Sequence, residues 1–148
     1  MPLSTRIHTM PLRVRYAETD AAGLAHHGSY PAWLEAARVE WLRAGGVSYA
    51  DLEKQGYHLA VVEMRLRYIA PARFDDLLHV RIALVRARSR EALFDYEIVS
   101  ASEHPRQIAT ATTRHLSLHQ GRLAPLPPAL RAQLDTTGDA QGARAEEE

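Results

Sequence analysis

The amino-acid sequence predicts a single α+β domain in which a strongly curved antiparallel sheet wraps one long helix. Three observations lead there: one apolar run at helical spacing that carries both tryptophans, strand-like alternation on either side of it, and short polar turns between the later strands. The order reads β-α-β-β-β-β. Periodicity leaves open a flatter arrangement, an open sheet with the helix on one side.

Leu12, Val14 and Tyr16 alternate with Arg13 and Arg15, which predicts a first half-buried strand ending near Glu18 with Tyr16 on its apolar face. The pattern breaks over Asp20 to Gly28. Ser29 is then the expected N-cap, Pro31 is tolerated in a first turn, and Tyr30, Trp33, Leu34, Ala37 and Trp41 recur at helical spacing until Gly45 and Gly46 end the run. Ser48 to Asp51 has the form of a capping box opening a short helix that Gly56 terminates. The period then becomes two. Val62, Met64, Leu66 and Tyr68 share one face until Pro71; Leu78, Val80, Ile82 and Leu84 share another, followed by Phe94, Tyr96 and Ile98 and by a less regular strand from Ile108 to Leu118. Turns at Ser89-Arg90, Glu103 to Arg106 and Gln120-Gly121 predict consecutive antiparallel pairing. After Leu123, three prolines lead into a short helix expected to reach Leu134. One domain over residues 1–134 and a disordered tail over 135–148 are expected.

A chain of 148 residues buries roughly 70% of its unfolded surface as one domain and is hardly long enough for two. Its 18 basic residues balance 18 acidic ones, which argues against nucleic acid or an anionic membrane as partner and for a small molecule. Lys54 is the only lysine, and it lies in a polar helical stretch, so lysine-based chemistry is disfavoured. Without cysteine there is no disulfide, thiolate metal site or thiol nucleophile. The N-terminus lacks a continuous apolar core, and no segment approaches the roughly 20 apolar residues of a membrane span. A soluble, unprocessed, cytoplasmic protein is expected.

The segment YAETDAAGLAHHGSY, Tyr16 to Tyr30, is the most informative. It carries an acid, Asp20, through a glycine-containing turn to His27 at the start of the long helix, a place where backbone N–H groups can polarise a carbonyl. Asp20 alone reads first as a turn former, and only with Tyr16, Gly23, His27 and the following helix in register does the catalytic reading prevail. His27 can act through its imidazole or simply stand at a helix entrance, its backbone N–H being the firmer assignment. Tyr16 reads first as a packing residue. His26 is expected to shape the mouth of the site or an interface.

The same segment, extended through PAWLEAARVEWL, resembles the opening motif of the hotdog-fold acyl-CoA thioesterases of the 4-hydroxybenzoyl-CoA thioesterase and YbgC-like group. The shared pattern is aromatic, three residues, Asp, two residues, Gly, three residues, His, two residues, Tyr. The likeness continues through Met64 to Asp76 and to about Leu134. It implies a hotdog fold, a homodimer whose sheets join into one, commonly a homotetramer of such dimers, and active sites between subunits. It further implies that Asp20 is the catalytic carboxylate, as nucleophile or as general base, that the His27 backbone N–H polarises the thioester carbonyl, and that Tyr16 and the His27 side chain take part. Gly23 and Ser29 belong to the substrate-binding turn. The pattern's usual asparagine is Ser29 here, and a neighbouring aromatic or valine is His26, which bears on acyl preference.

Coenzyme A carries phosphates, and Arg88 and Arg90, near Arg86 in a predicted hairpin, are the nominated contacts; as residues alone they read as a solvated turn. Arg73 is a weaker candidate because Asp75 and Asp76 can pair with it. No metal is expected, since neither His115 with His119 nor His26 with His27 supplies three or four convergent ligands. HGSYP around Ser29 lacks the second glycine of a nucleophile elbow, and no phosphate-loop or dinucleotide fingerprint is present. The expected activity is hydrolysis of an acyl-CoA without a cofactor, an acyl-carrier protein being an alternative carrier. The alternatives are a non-catalytic acyl-CoA or carrier-protein binding module and a hotdog dehydratase or hydratase.

Overall fold

A computed structural model of the chain describes residues 6–133; the tail expected over 135–148, and Leu134, lie outside them. β1 (Ile7–Arg13) leads through two 3₁₀ turns, Tyr16–Glu18 and His27–Ser29, into α1 (Tyr30–Ala44) and α2 (Tyr49–Lys54). β2 (Tyr57–Tyr68), β3 (Leu77–Ala87), β4 (Glu91–Ser100), β5 (Gln107–His119) and the two-residue β6 (Arg122–Leu123) follow. A last helical turn occupies residues 128–133.

α1 forms where the apolar spacing predicts it. Tyr30, Trp33, Leu34, Ala37, Trp41 and Leu42 are all buried, and Gly46, at φ 86°, supplies the left-handed backbone that ends the run. Ser48 caps α2 as expected, its hydroxyl accepting from the Asp51 N–H at 3.3 Å. The buried face of α1 packs on β1 and β3 and joins one core with Leu78, Val80, Ile82 and Leu84 of β3 and Phe94, Tyr96 and Ile98 of β4. The sheet curls around α1, as the sequence predicts.

Two expectations are corrected. β1 ends at Arg13, not near Glu18: Val14 still exchanges backbone bonds with Asp75 and Asp76, and the chain then turns so that the Glu18 side chain can accept the Arg15 N–H at 2.7 Å. Tyr16 therefore leaves the apolar face and is 78% exposed. The strands also do not pair consecutively throughout. The order is β1-β3-β4-β5-β2, with β6 on β5; β3, β4 and β5 meander as expected, whereas β2 crosses to the far edge and pairs with β5 from Tyr57↔His119 to Tyr68↔Ala109, with an irregularity between Val61 and Glu63. α1 lies between β1 and β2 in the chain, and these two strands stand at opposite edges of the sheet.

The irregularity of β5 has a physical basis. Its inward row, Ala109, Ala111, Thr113, His115 and Ser117, is small or polar yet buried, and three of these side chains find partners inside. Arg38 of α1 donates to the Tyr96 hydroxyl at 3.0 Å, which lies 2.6 Å from the Thr113 hydroxyl, which lies 2.8 Å from His115 Nε2. The Leu59 carbonyl, an acceptor only, stands 3.4 Å from His115 Nδ1. One tautomer satisfies the whole chain: Nδ1 carries the proton and Nε2 accepts from Thr113. Ser117 donates to the Pro125 carbonyl at 3.0 Å.

Burial, reinforced by the Arg38 charge, lowers the His115 imidazole from 6.5 to about 4. The unfolded chain therefore binds a proton at this residue that the folded chain refuses, and stability falls as pH drops from about 6.5 towards 4. Chemical denaturation between about pH 7 and pH 5 is expected to show this loss. His115→Gln, less stable at neutral pH, should show a much flatter dependence over the same window.

Candidate active site

Asp20 opens a small hairpin. Its backbone N–H donates to the Leu24 carbonyl at 2.8 Å, its carbonyl accepts from Gly23, and Thr19 bridges Ala25. The Asp20 side chain is fastened by one oxygen: Oδ1 accepts the N–H groups of Ala22 at 2.8 Å and Leu24 at 3.2 Å. Oδ2 accepts from no described residue, and Asp20 is exposed, so the carboxylate presents one anchored and one free oxygen. Gly23, at φ 79°, makes the turn possible.

The outer side of this hairpin is paired to the connection between β2 and β3. Leu24 bridges Arg73, Ala25 donates to the Ala72 carbonyl at 2.8 Å, and Phe74 donates to the Gly23 carbonyl at 3.2 Å. Its inner side is held by Glu18. The Glu18 carbonyl accepts the His26 N–H at 2.8 Å and the Ser29 hydroxyl at 2.9 Å, and its carboxylate accepts the Trp33 indole N–H at 2.7 Å. Burial by itself would raise the Glu18 pKa, but the hydrogen bonds from the Arg15 backbone, from Trp33 and from the Arg15 side chain outweigh it and the net shift is downward.

The helix entrance differs from the expected one. Ser29 already has helical backbone angles and caps nothing with its side chain, because its hydroxyl is committed to Glu18. The 3₁₀ turn His27–Ser29 runs directly into α1, and His26 is the cap: its Nδ1 accepts the Gly28 N–H at 2.9 Å. The His27 N–H thus stands in the first turn of the merged helix, and no described residue accepts from it. The His27 carbonyl accepts the Tyr68 hydroxyl at 2.8 Å, and the His27 ring lies 4.1 Å from that of His26.

The bonds to Glu18 tie the hairpin of Asp20 and Gly23 to the turn that carries His27 and Ser29. Tyr16 lies beside this hairpin rather than in the core, its ring edge-on to Phe74 at 5.5 Å. Arg88 and Arg90 do form a hairpin, with the Arg88 N–H on the Glu91 carbonyl, but they follow the end of β3 whose start adjoins the Asp20 hairpin. The 11 residues of β3 place them about 30 Å away at the usual rise per residue. Arg73 has no guanidinium pair with Asp75 or Asp76; Asp76 accepts its backbone N–H, and Asp75 faces Arg13. Glu18, Trp33 as a donor and Tyr68 as a brace were not legible as site residues. The one sequence signal was that a buried indole N–H demands an acceptor somewhere.

Among the described residues no group of three or more His, Asp and Glu side chains is placed to hold a metal ion; His119 instead bonds the Gln55 carbonyl. No helix among them is long and apolar enough to cross a membrane. One cavity among the described residues, of about 550 Å³, lies on the outer sheet face beside Arg67, Arg81 and Glu97. Another, about 270 Å³, lies between α1, α2 and β2 beside Arg38, Tyr49 and His58. Neither is lined by Asp20 or His27.

Residues 14–134 match the profile of the Thioesterase-like superfamily. The Escherichia coli O6:H1 protein named acyl-CoA thioester hydrolase YbgC is 36% identical over 99 residues, 67% of this chain and 74% of its own. The crystal structure of the hypothetical protein TT1821 from Thermus thermophilus superimposes with a TM-score of 0.82 at 37% identity, covering 87% of this chain and 98% of that one. That of Slr0204, a 1,4-dihydroxy-2-naphthoyl-CoA thioesterase from Synechocystis, does so with 0.81 at 26% identity, covering 88% and 96%.

At Gly23 a Cβ would meet open space, so Gly23→Ala tests backbone strain alone. It is expected to cost about 1–2 kcal/mol in denaturant titration through the left-handed angle.

Proposed function

We propose that this chain, which belongs to the thioesterase-like superfamily, hydrolyses acyl-CoA thioesters as the relative named for that activity does, and that Asp20 and the His27 backbone N–H carry out the reaction. The observation that carries this reading is the Asp20 carboxylate held by Oδ1 on two N–H groups with Oδ2 free, in a hairpin whose base is bonded to the turn bearing the unpaired His27 N–H. The thioester carbonyl oxygen would accept from His27 at the positive end of α1, which favours the negative charge that develops there. Asp20 Oδ2 either attacks the carbonyl carbon, forming a mixed anhydride that water then cleaves, or takes a proton from an attacking water. In both routes the C–S bond breaks, CoA leaves as the thiol and the acid is released. No cofactor takes part.

The Asp20 surface lines neither cavity, which supports a site completed by a second protomer. β2 is an open sheet edge with Val61 and Val62 exposed, suited to antiparallel pairing with its own copy into a continuous sheet. Arg88 and Arg90, too far from Asp20 in their own protomer, are assigned to the phosphates of a CoA whose thioester lies at the partner subunit.

CoA release from short, long and aromatic acyl-CoAs, and from a carrier-protein thioester, should fall at least about 100-fold in Asp20→Ala, the usual scale for a lost acid–base group, with folding retained. Turnover equal to wild type would refute the role of Asp20. Binding of acyl-CoA without release by the wild-type protein would identify a binding module instead. Single-turnover hydrolysis in ¹⁸O water tests the first route: label in the enzyme carboxylate marks an anhydride that water opens at the Asp20 carbonyl carbon.

A further inference from the structure

We propose that Glu18 is a positioning residue for thioester hydrolysis, clamping the hairpin that carries Asp20 onto the helix whose first turn carries the His27 N–H. The proposal rests on the assignment of Asp20 and His27 to the reaction. Five hydrogen bonds converge on this residue. Its carboxylate accepts the Arg15 N–H at 2.7 Å, the Trp33 indole at 2.7 Å and the Arg15 guanidinium at 3.3 Å, while its carbonyl accepts His26 at 2.8 Å and the Ser29 hydroxyl at 2.9 Å. Only 8% exposed and with both carboxylate oxygens engaged, Glu18 does not itself meet substrate. It lies two residues before Asp20 and, through Trp33, grips α1 six residues beyond His27.

The geometry calls for an acceptor-only group with two oxygens, since a backbone N–H and an indole N–H must be accepted at once. Glutamine keeps the shape but turns an NH₂ towards one of those donors. A shift of about 1 Å in a reacting group can cost on the order of 100-fold in rate, whereas the free Asp20 oxygen and the substrate surface remain. Glu18→Gln should therefore lower kcat at least about tenfold with KM changed less than about threefold. Trp33→Phe, which removes the indole donor and keeps an aromatic ring, should do the same. The double variant should be no worse than the poorer single one, because both break one bond.

A purely structural role is separated by Trp41→Phe. The Trp41 indole bonds a backbone carbonyl, that of Arg6, at 2.8 Å towards the other end of α1, so its loss is expected to lower Tm comparably and leave kcat near wild type. Wild-type kcat in folded Glu18→Gln, additive losses in the double variant, or an equal kcat loss in Trp41→Phe would each overturn the proposal. Should Glu18→Gln not fold, Trp33→Phe against Trp41→Phe decides the matter. If Asp20→Ala abolishes CoA release while Glu18→Gln does not impair it, the clamp alone is refuted; if Asp20→Ala is fully active, both assignments fall together.

Discussion

The bond from the Trp33 indole to the Glu18 carboxylate joins the two halves of this molecule, the apolar core and the polar loop where chemistry is expected. Trp33 is buried among the core side chains of α1, its ring 4.5 Å from that of Tyr30, and its N–H must find an acceptor there or remain unsatisfied at a cost of one to a few kcal/mol. Glu18 supplies the acceptor without becoming an orphaned charge, because Arg15 completes its coordination. The loop over residues 14–29 is thereby attached to the best-packed element of the fold. Trp41 makes a matching attachment to the Arg6 carbonyl towards the far end of α1, so the segment preceding the helix is tied to it at both ends.

The polar chain through Arg38, Tyr96, Thr113 and His115 obeys the same rule. The inward row of β5 consists of alanines, a threonine, a histidine and a serine. The polar atoms thus buried are satisfied in one direction and with one tautomer, the condition under which a buried network specifies packing rather than weakening it. It also links α1, β4, β5 and β2, elements that local sequence cannot connect.

The placement of the site follows from this architecture. α1 crosses the sheet with its first turn at the rim, where the Asp20 hairpin and the connection between β2 and β3 converge. The Asp20 carboxylate is exposed there, the His27 N–H stands in the first turn of the merged helix, and Arg88 and Arg90 lie beyond the far end of β3. β2 forms the sheet edge opposite β1.

By itself the sequence determined where α1, α2 and the strands of the meander lie and which face of α1 is buried. It could do so because periodicities of two and 3.6 residues and turn chemistry act between near neighbours. The 3₁₀ turn that turns Tyr16 outward, the replacement of Ser29 by His26 as cap, the pairing of β2 with β5 and the burial of Glu18, Thr113 and His115 were decided only by tertiary structure. In each case a polar group takes its position from a partner far along the chain: Glu18 from Trp33, His115 from Leu59. Polarity read in sequence reports a residue's cost of burial, and only the folded chain reveals the hydrogen bond that offsets it.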